Sequence, residues 1–173
     1  MSNLIIRDAR IDDADFLGKC VSMTIQSGNV SATQMARHAE RENTLYSYKN
    51  ALIAEIDGRN VGAVISYAGE VYPELLRNTF GRSMPQTGAR EAEVDEYHID
   101  VLAVLQDFRR QGIGRALIEK RIEWIKANYP NLRIALLVEP DNNVAQAFYR
   151  SVGFDKDAEV RVFNNPYVRM SLH

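Results

Sequence analysis

One stretch of the sequence decides the fold that we expect: Val101-Leu-Ala-Val-Leu-Gln-Asp-Phe-Arg109-Arg-Gln-Gly112-Ile-Gly114-Arg115. The apolar run before Gln106 predicts a strand buried on both faces, and a short charged turn follows it. From Gly112 to about Asn128 the apolar spacing predicts a long helix. Glycines at 112 and 114 remove side chains where the turn enters that helix, so a ligand can approach the backbone closely.

The start of this helix is suited to binding phosphate. Its first amides have no partner within the helix, the positive end of the helix dipole lies there, and charge is added by Arg109, Arg110 and Arg115. Two rival phosphate motifs are excluded, because no Gly-Lys-Ser/Thr follows the glycines and position 117 is Leu instead of Gly. The glycines alone are weak support, since a packing or capping role explains them as well.

The rest of the chain predicts strands and helices in alternation. Strands are expected at Leu4–Arg7, Ala51–Ile56, Val61–Tyr67, Tyr97–Leu105, Arg133–Val138, Val160–Phe163 and Val168–Leu172. Helices are expected after a cap at Asp12 or Asp13, from Ala32 to about Tyr46, at Glu74–Thr79 and at Asn142–Ser151. Without repeats or linkers, residues 1–173 are expected to form one α/β domain with hairpins and a βαβ crossover.

Composition narrows the function classes. The chain has 46% hydrophobic and 25% charged residues and a net charge of −2, which gives no indication of a nucleic-acid partner or a membrane surface. The single cysteine, Cys20, excludes an intrachain disulfide and lies in an apolar stretch typical of a buried, inert thiol. No spacing suggests a metal site, and without a signal peptide or membrane span we expect a cytoplasmic protein.

Two motifs in order resemble those of a known family. Arg109-x-x-Gly112-x-Gly114 after Leu102-Ala103-Val104, followed by Asn142-x-x-Ala145-x-x-Phe148-Tyr149-x-x-x-Gly153-Phe154, is similar to the acetyl-CoA motifs of the GNAT superfamily of N-acetyltransferases. The resemblance covers most of the chain. It implies the GNAT fold, a mixed and mostly antiparallel sheet splayed at the acetyl-CoA site, with helices on both faces.

The same resemblance implies three groups of cofactor-binding residues. The strand edge Leu102, Ala103 and Val104 would pair with the pantetheine arm, and a helix stripe would add Asn142, Ala145 and Tyr149. The diphosphate would be held by Arg109, Arg110, Gln111, Gly112, Ile113, Gly114 and Arg115. Acetyl-CoA would be the acyl donor, and no metal is implied.

Three residues are candidates for catalysis. Tyr149 stays protonated at neutral pH and can donate a proton to the leaving thiolate, although a buried core tyrosine is the alternative. Strand alternation places His98, Asp100, Leu102 and Val104 on one face, where His98 could act as base. Asp100 could orient His98, bind the ammonium or simply end the strand.

The expected reaction is direct acetyl transfer to a primary amine of a small molecule or peptide, bound near Gln26–Ala32 and Ala68–Ala92. Four acidic residues lead into the strand that carries His98: Glu91, Glu93, Asp95 and Glu96. They would form either an acidic mouth that attracts the amine or an ordinary solvated face. A non-catalytic acyl-CoA sensor and the same fold with another acyl donor are the alternatives, and a homodimer is compatible with the family.

Overall fold

A computed structural model describes residues 3–25, 30–82 and 88–172. In these ranges the strands are β1 Leu4–Asp8, β2 Ala51–Ile56, β3 Arg59–Ala68, β4 Glu96–Val104, β5 Arg133–Val138, β6 Phe154–Val162 and β7 Asn165–Leu172. The helices are α1 Ala14–Thr24, α2 Ala32–Ala39, α3 Tyr72–Phe80, α4 Ile113–Asn128 and α5 Asn143–Val152.

The strands form one mixed sheet in the order β1-β2-β3-β4-β5-β7-β6. Only the central pair, β4 and β5, is parallel, and the long helix α4 supplies the crossover that a parallel pair requires. The other neighbouring strands pair in antiparallel fashion. The mixed, mostly antiparallel sheet predicted from the sequence is confirmed.

Helices cover both faces of this sheet, as predicted. One buried cluster packs α1 and α2 against β2, β3 and β4 and includes Leu17, Cys20 and Tyr67. The other packs α4 against the opposite face, with Leu117 and Ile118 fully buried. Burial raises the pKa of Cys20 to about 12, in agreement with the inert thiol predicted for it.

The predicted boundaries of one helix and one strand are wrong, and the packing of the chain explains both differences. Helix α2 ends at Ala39, because the chain then turns inward and buries Leu45 and Tyr46 in the first cluster. The amide of Leu45 donates to Thr79 Oγ1 of α3 at 3.0 Å, which satisfies a group that a longer helix would have used. Strand β6 begins at Phe154 instead of Val160, because its polar first half lies on an outer strand with solvent access.

The predicted cap of α1 also differs. Asp13 precedes the helix, but its carboxylate accepts hydrogen bonds from Arg7 at 2.7 Å and Asn60 at 2.8 Å instead of capping α1. Although burial opposes ionisation, these donors lower the pKa of Asp13 to about 2. This buried ion pair fixes β1 and the β2–β3 hairpin to the start of α1. No helix in the described ranges is long and apolar enough to cross a membrane.

Candidate active site

The centre of the sheet opens into a cleft. Strands β4 and β5 pair only from Glu96–Arg133 to Ile99–Leu136, and beyond Ile99 the two strands are no longer paired. A cleft of about 450 Å³ lies at this opening. The predicted site residues that line it are His98, Asp100, Leu102, Arg109, Asn142, Ala145 and Tyr149.

The start of α4 carries backbone amides and lies next to Val104 at the end of β4 and to Phe148 of α5. The first helical hydrogen bond runs from the Ala116 amide to the Gly112 carbonyl at 2.9 Å, so the amides of Ile113, Gly114 and Arg115 have no acceptor within the helix. Gly112 reaches this position with a φ of +80°, and Arg110 adopts a φ of +60° just before it. The turn thus adopts left-handed backbone conformations that aim consecutive amides in one direction, a geometry suited to an anion.

Gly112 and Gly114 are needed for different reasons. Nothing lies within 4 Å of a Cβ added to Gly112, so its positive φ is what favours glycine. A Cβ added to Gly114 would meet Val104 at 3.7 Å and Phe148 at 3.9 Å, which are ordinary contacts. The position of Gly112 is therefore open to a ligand, whereas Gly114 lies next to Val104 and Phe148.

The charged side chains of the motif are partly engaged within the protein. Arg109 Nε donates to the Val104 carbonyl at 3.0 Å, and Gln111 donates to the Asp107 carbonyl at 3.1 Å. Arg115 donates to Ser151 Oγ at 2.8 Å and pairs with Glu119 at 3.1 Å. The guanidinium of Arg115 therefore connects α4 to the end of α5.

A bulge in β4 corrects the predicted alternation. Ile99 pairs with Ser66 and Val101 pairs with Ile65, so Asp100 is an extra residue without a partner on β3. As a result Ile99 packs with α4 whereas Val101 packs with α1, and Leu102 and Val104 return to the α4 face. The prediction that His98, Asp100, Leu102 and Val104 share one face is wrong, because one inserted residue reverses every side chain beyond it.

His98 and Asp100 nevertheless meet in the cleft with a third side chain. One carboxylate oxygen each of Glu91 and Asp100 and one ring nitrogen of His98 lie within 4.8 Å of one another. His98 is buried, and its Nδ1 lies 3.4 Å from Glu96 Oε1 without hydrogen-bond geometry. Burial and the neighbouring Glu91 raise the pKa of Asp100 to about 7.

These three side chains could also hold a metal ion, since carboxylate and imidazole groups are common ligands. They are the one such group among the described residues. The sequence shows no spacing typical of a metal site, because Glu91 precedes β4 and reaches the cluster only through the fold.

The acidic run before β4 does not form a single mouth. Glu96 is fully buried, where Arg169 Nη1 contacts its Oε1 at 2.5 Å. Glu93 lies 3.8 Å from Arg169, and Asp95 lies 3.8 Å from Arg133. Of the four acidic residues, Glu91 alone lines the cleft.

Tyr149 lies on α5 and lines the same cleft. Its ring packs against Phe148 and Phe154, with centroids 5.2 and 5.9 Å away. Burial, with a contribution from Glu139, raises the pKa of Tyr149 to about 12. The Asn142 side chain accepts from the Ala145 amide at 3.1 Å and caps this helix, so it fixes the turn from which Tyr149 projects.

The predicted acceptor segments fall partly outside the described residues, which omit 26–29 and 83–87. Next to those gaps, Met23 and Thr24 of α1 and Glu91 line the cleft. The β6–β7 hairpin adds Phe163 and Tyr167 to the lining of the cleft, and the sequence did not indicate these two as site residues.

Comparisons with known proteins agree with this arrangement. The N-alpha-acetyltransferase of Sulfurisphaera tokodaii is 26% identical over 162 residues, which cover 94% of this chain and 84% of that protein. The crystal structure of an N-acetyltransferase from Staphylococcus aureus Mu50 superimposes with a TM-score of 0.80 at 22% identity, covering 97% of this chain and all of that one.

A PaiA N-acetyltransferase from Thermoplasma acidophilum, solved in complex with coenzyme A, has a TM-score of 0.62 at 14% identity, with 98% of each chain covered. Residues 22–154 match the Acetyltransferase (GNAT) family over most of the length of the chain. The chain therefore belongs to the GNAT family and is an acetyltransferase.

Proposed function

We propose that the chain transfers the acetyl group of acetyl-CoA directly to a primary amine of a small molecule or peptide. One observation carries the proposal: Tyr149 lines the cleft that opens between β4 and β5, and the start of α4, whose first amides are unpaired within the helix, lies next to Val104 at the end of β4 and to Phe148 beside Tyr149. An anion-binding helix start beside a titratable cluster suits a donor with a diphosphate and a reactive acyl end.

The residues at this opening fit acetyl-CoA. The amides of Ile113, Gly114 and Arg115 would hold the diphosphate, and the open space at Gly112 admits it. The part of β4 beyond Ile99 is not paired with β5, so it can hydrogen-bond to an extended arm that carries amides. Bound there, acetyl-CoA would supply an acetyl group activated as a thioester. The coenzyme A complex of the Thermoplasma acidophilum neighbour supports this assignment.

The chain's own groups would move protons. The acceptor ammonium loses two protons as the C–N bond forms and the C–S bond breaks. Tyr149, whose high pKa keeps its hydroxyl protonated at neutral pH, donates a proton to the leaving sulfur, and one of the two protons released by the nitrogen then restores this hydroxyl through solvent. The other leaves to solvent through the cluster of His98 and Asp100.

The acceptor is a polypeptide α-amine or a small amine. The name of the Sulfurisphaera tokodaii relative, an N-alpha-acetyltransferase, supports testing peptide N-termini first. Release of free thiol from acetyl-CoA over a panel of peptides and small amines, with mass spectrometry of the products, would identify the acceptor. Binding of acetyl-CoA without acetylation of any amine in the panel would contradict the proposal.

Tyr149→Phe tests the chemistry. It removes one oxygen from a ring that stays packed between Phe148 and Phe154, so we expect turnover to fall about 100-fold with little change in the Kd for acetyl-CoA. Tyr129→Phe is the matched control, since Tyr129 lies at the surface beyond the end of α4. Wild-type turnover in Tyr149→Phe would exclude Tyr149 from the reaction.

A further inference from the structure

Two carboxylates in the cleft are each held by a buried tyrosine. The Tyr67 hydroxyl donates to Asp100 Oδ2 at 3.1 Å, and the Tyr72 hydroxyl donates to Glu91 Oε2 at 3.1 Å. The two tyrosine rings stack with their centroids 6.0 Å apart and an interplanar angle of 16°. Both rings are almost completely buried, so they fix the two carboxylates side by side.

Positive side chains near this pair are engaged elsewhere. Arg90 lies over the Tyr72 ring at 6.0 Å but donates to the Gly69 carbonyl. Arg169 donates to the backbone carbonyl of Glu91, and its salt bridges are with Glu93 and Glu96. Among the described residues, neither Glu91 nor Asp100 has a salt bridge through its carboxylate, so no lysine or arginine pairs with the two carboxylates that line the cleft.

Two carboxylates at this separation, partly shielded from water, cannot both stay ionised at low cost. They are stabilised by one positive charge between them, which is either a bound cation or a proton. A protonated amine can supply both to the two carboxylates: it binds as a cation and then gives up a proton. Amines are also the substrate class of the proposed reaction.

We propose that Glu91 and Asp100 act as a carboxylate pair that binds the acceptor ammonium and receives its proton on Asp100. This rests on the proposed function. In the step, an N–H bond of the ammonium breaks, its electron pair stays on nitrogen, and an O–H bond forms on Asp100 while Glu91 remains ionised. The neutral amine is then ready to attack, and the proton leaves Asp100 for solvent.

The charges facing Asp100 agree with this role. Glu91 and burial favour protonation of Asp100, whereas His98 and the Tyr67 hydroxyl favour its ionised form. Tyr46, Tyr72 and Tyr167 also lie within the field of Asp100 and Glu91, and burial keeps each of these phenols protonated at neutral pH. Glu91 is thus the group whose removal changes the affinity of Asp100 for a proton most.

The pair also defines a substrate class. A carboxylate next to the reactive amine, as in a free amino acid, would face the negative charges of Glu91 and Asp100 and be repelled. A peptide N-terminus or an alkylamine lacks that neighbouring charge. We therefore expect the enzyme to prefer an amino acid amide over the matching free amino acid.

The test compares Glu91→Gln with Asp95→Asn, which removes the same charge from an exposed residue four positions away. With EDTA present to exclude metal ions, kcat/KM is measured from pH 5 to 9 with an amine that the enzyme is found to acetylate. In Glu91→Gln we expect the acidic limb of the profile to move down by about one pH unit and the plateau to fall about tenfold. The preference for the amide over the free amino acid should also shrink, while Asp95→Asn and Glu91→Asp keep the wild-type limb.

An acidic limb that stays in place in folded Glu91→Gln would overturn the proposal. A second measurement needs no activity: NMR titration of ¹³C-labelled carboxyl groups in the wild type, with the Asp100 signal assigned from Asp100→Asn. We expect Asp100 to titrate at least about two pH units above an ordinary aspartate and to move back towards it in Glu91→Gln. An ordinary titration of Asp100 would reject the pair even if no acceptor were found, whereas the proposed function fails separately if no amine is acetylated.

Discussion

At the scale of single residues, the site depends on where one bulge places one carboxylate. Asp100 is the unpaired residue of β4, and this position carries its side chain into the cleft beside Glu91 and His98. The sequence identified Asp100 and His98, because polar residues inside an apolar strand are conspicuous. It named Glu91 only as one of four acidic residues, since nothing in an acidic run distinguishes the residue that lines the cleft from those that pair with arginines.

Asp100→Asn should make the protein more stable at neutral pH. The Asp100 pKa is raised to about 7 by burial and by Glu91, so the folded chain binds this proton more tightly than the unfolded chain does. The contribution of Asp100 to stability should therefore decrease as pH rises from about 4 to about 7 and then level off, because the ionised carboxylate is disfavoured in the fold.

The asparagine side chain does not ionise, and its oxygen can still accept the hydrogen bond from the Tyr67 hydroxyl. We expect it to gain on the order of 1–2 kcal/mol at pH 8 and almost nothing at pH 4. Urea unfolding at the two pH values measures this difference. An equal effect of the substitution at both would show that Asp100 titrates normally.

At the scale of elements, the start of α4 is the feature that the sequence predicted best. Gly112 and Gly114 in front of an apolar-periodic helix indicated unpaired amides, and the first helical bond from Ala116 to Gly112 leaves them so. Motifs of this kind are local, and their geometry follows from glycine and helix chemistry. Elements whose ends depend on distant partners were predicted less well: α2 ends early because Leu45 packs into the core.

Gly112→Ala and Gly58→Ala separate backbone strain from ligand binding. The two glycines have φ angles of +80° and +79°, and neither has an atom within 4 Å of an added Cβ. Each substitution should therefore cost about 1 kcal/mol of stability, because alanine is strained at positive φ. Gly112→Ala should in addition weaken acetyl-CoA binding about tenfold or more, since it disturbs the amides at the start of α4.

Thermal unfolding and calorimetric titration of acetyl-CoA measure the two effects. Gly58 lies in the β2–β3 hairpin, away from the cleft, so its variant should keep the wild-type Kd. If both variants lost affinity equally, general destabilisation would explain the loss better than the local amides do.

At the scale of the whole molecule, contacts between residues far apart in the chain build the site. Arg169 of β7 and Arg133 of β5 both contact the buried Glu96 at the start of β4 and thereby connect three strands below the cleft. Sequence patterns predicted the strands and the GNAT resemblance supplied the sheet, but neither indicated this ion-pair network. The bulge at Asp100 and the contribution of the β6–β7 hairpin to the cleft likewise depend on register and on tertiary packing.

In the proposed function, the first amides of α4 hold the diphosphate of acetyl-CoA. Titration of ¹⁵N-labelled protein with acetyl-CoA, followed by NMR, measures this contact at each amide. We predict saturable binding in which the amide signals of Ile113, Gly114 and Arg115 shift among the most, while that of Gly58 in the distant hairpin stays in place. No saturable binding, or saturation that leaves these three amides unchanged, would contradict the account.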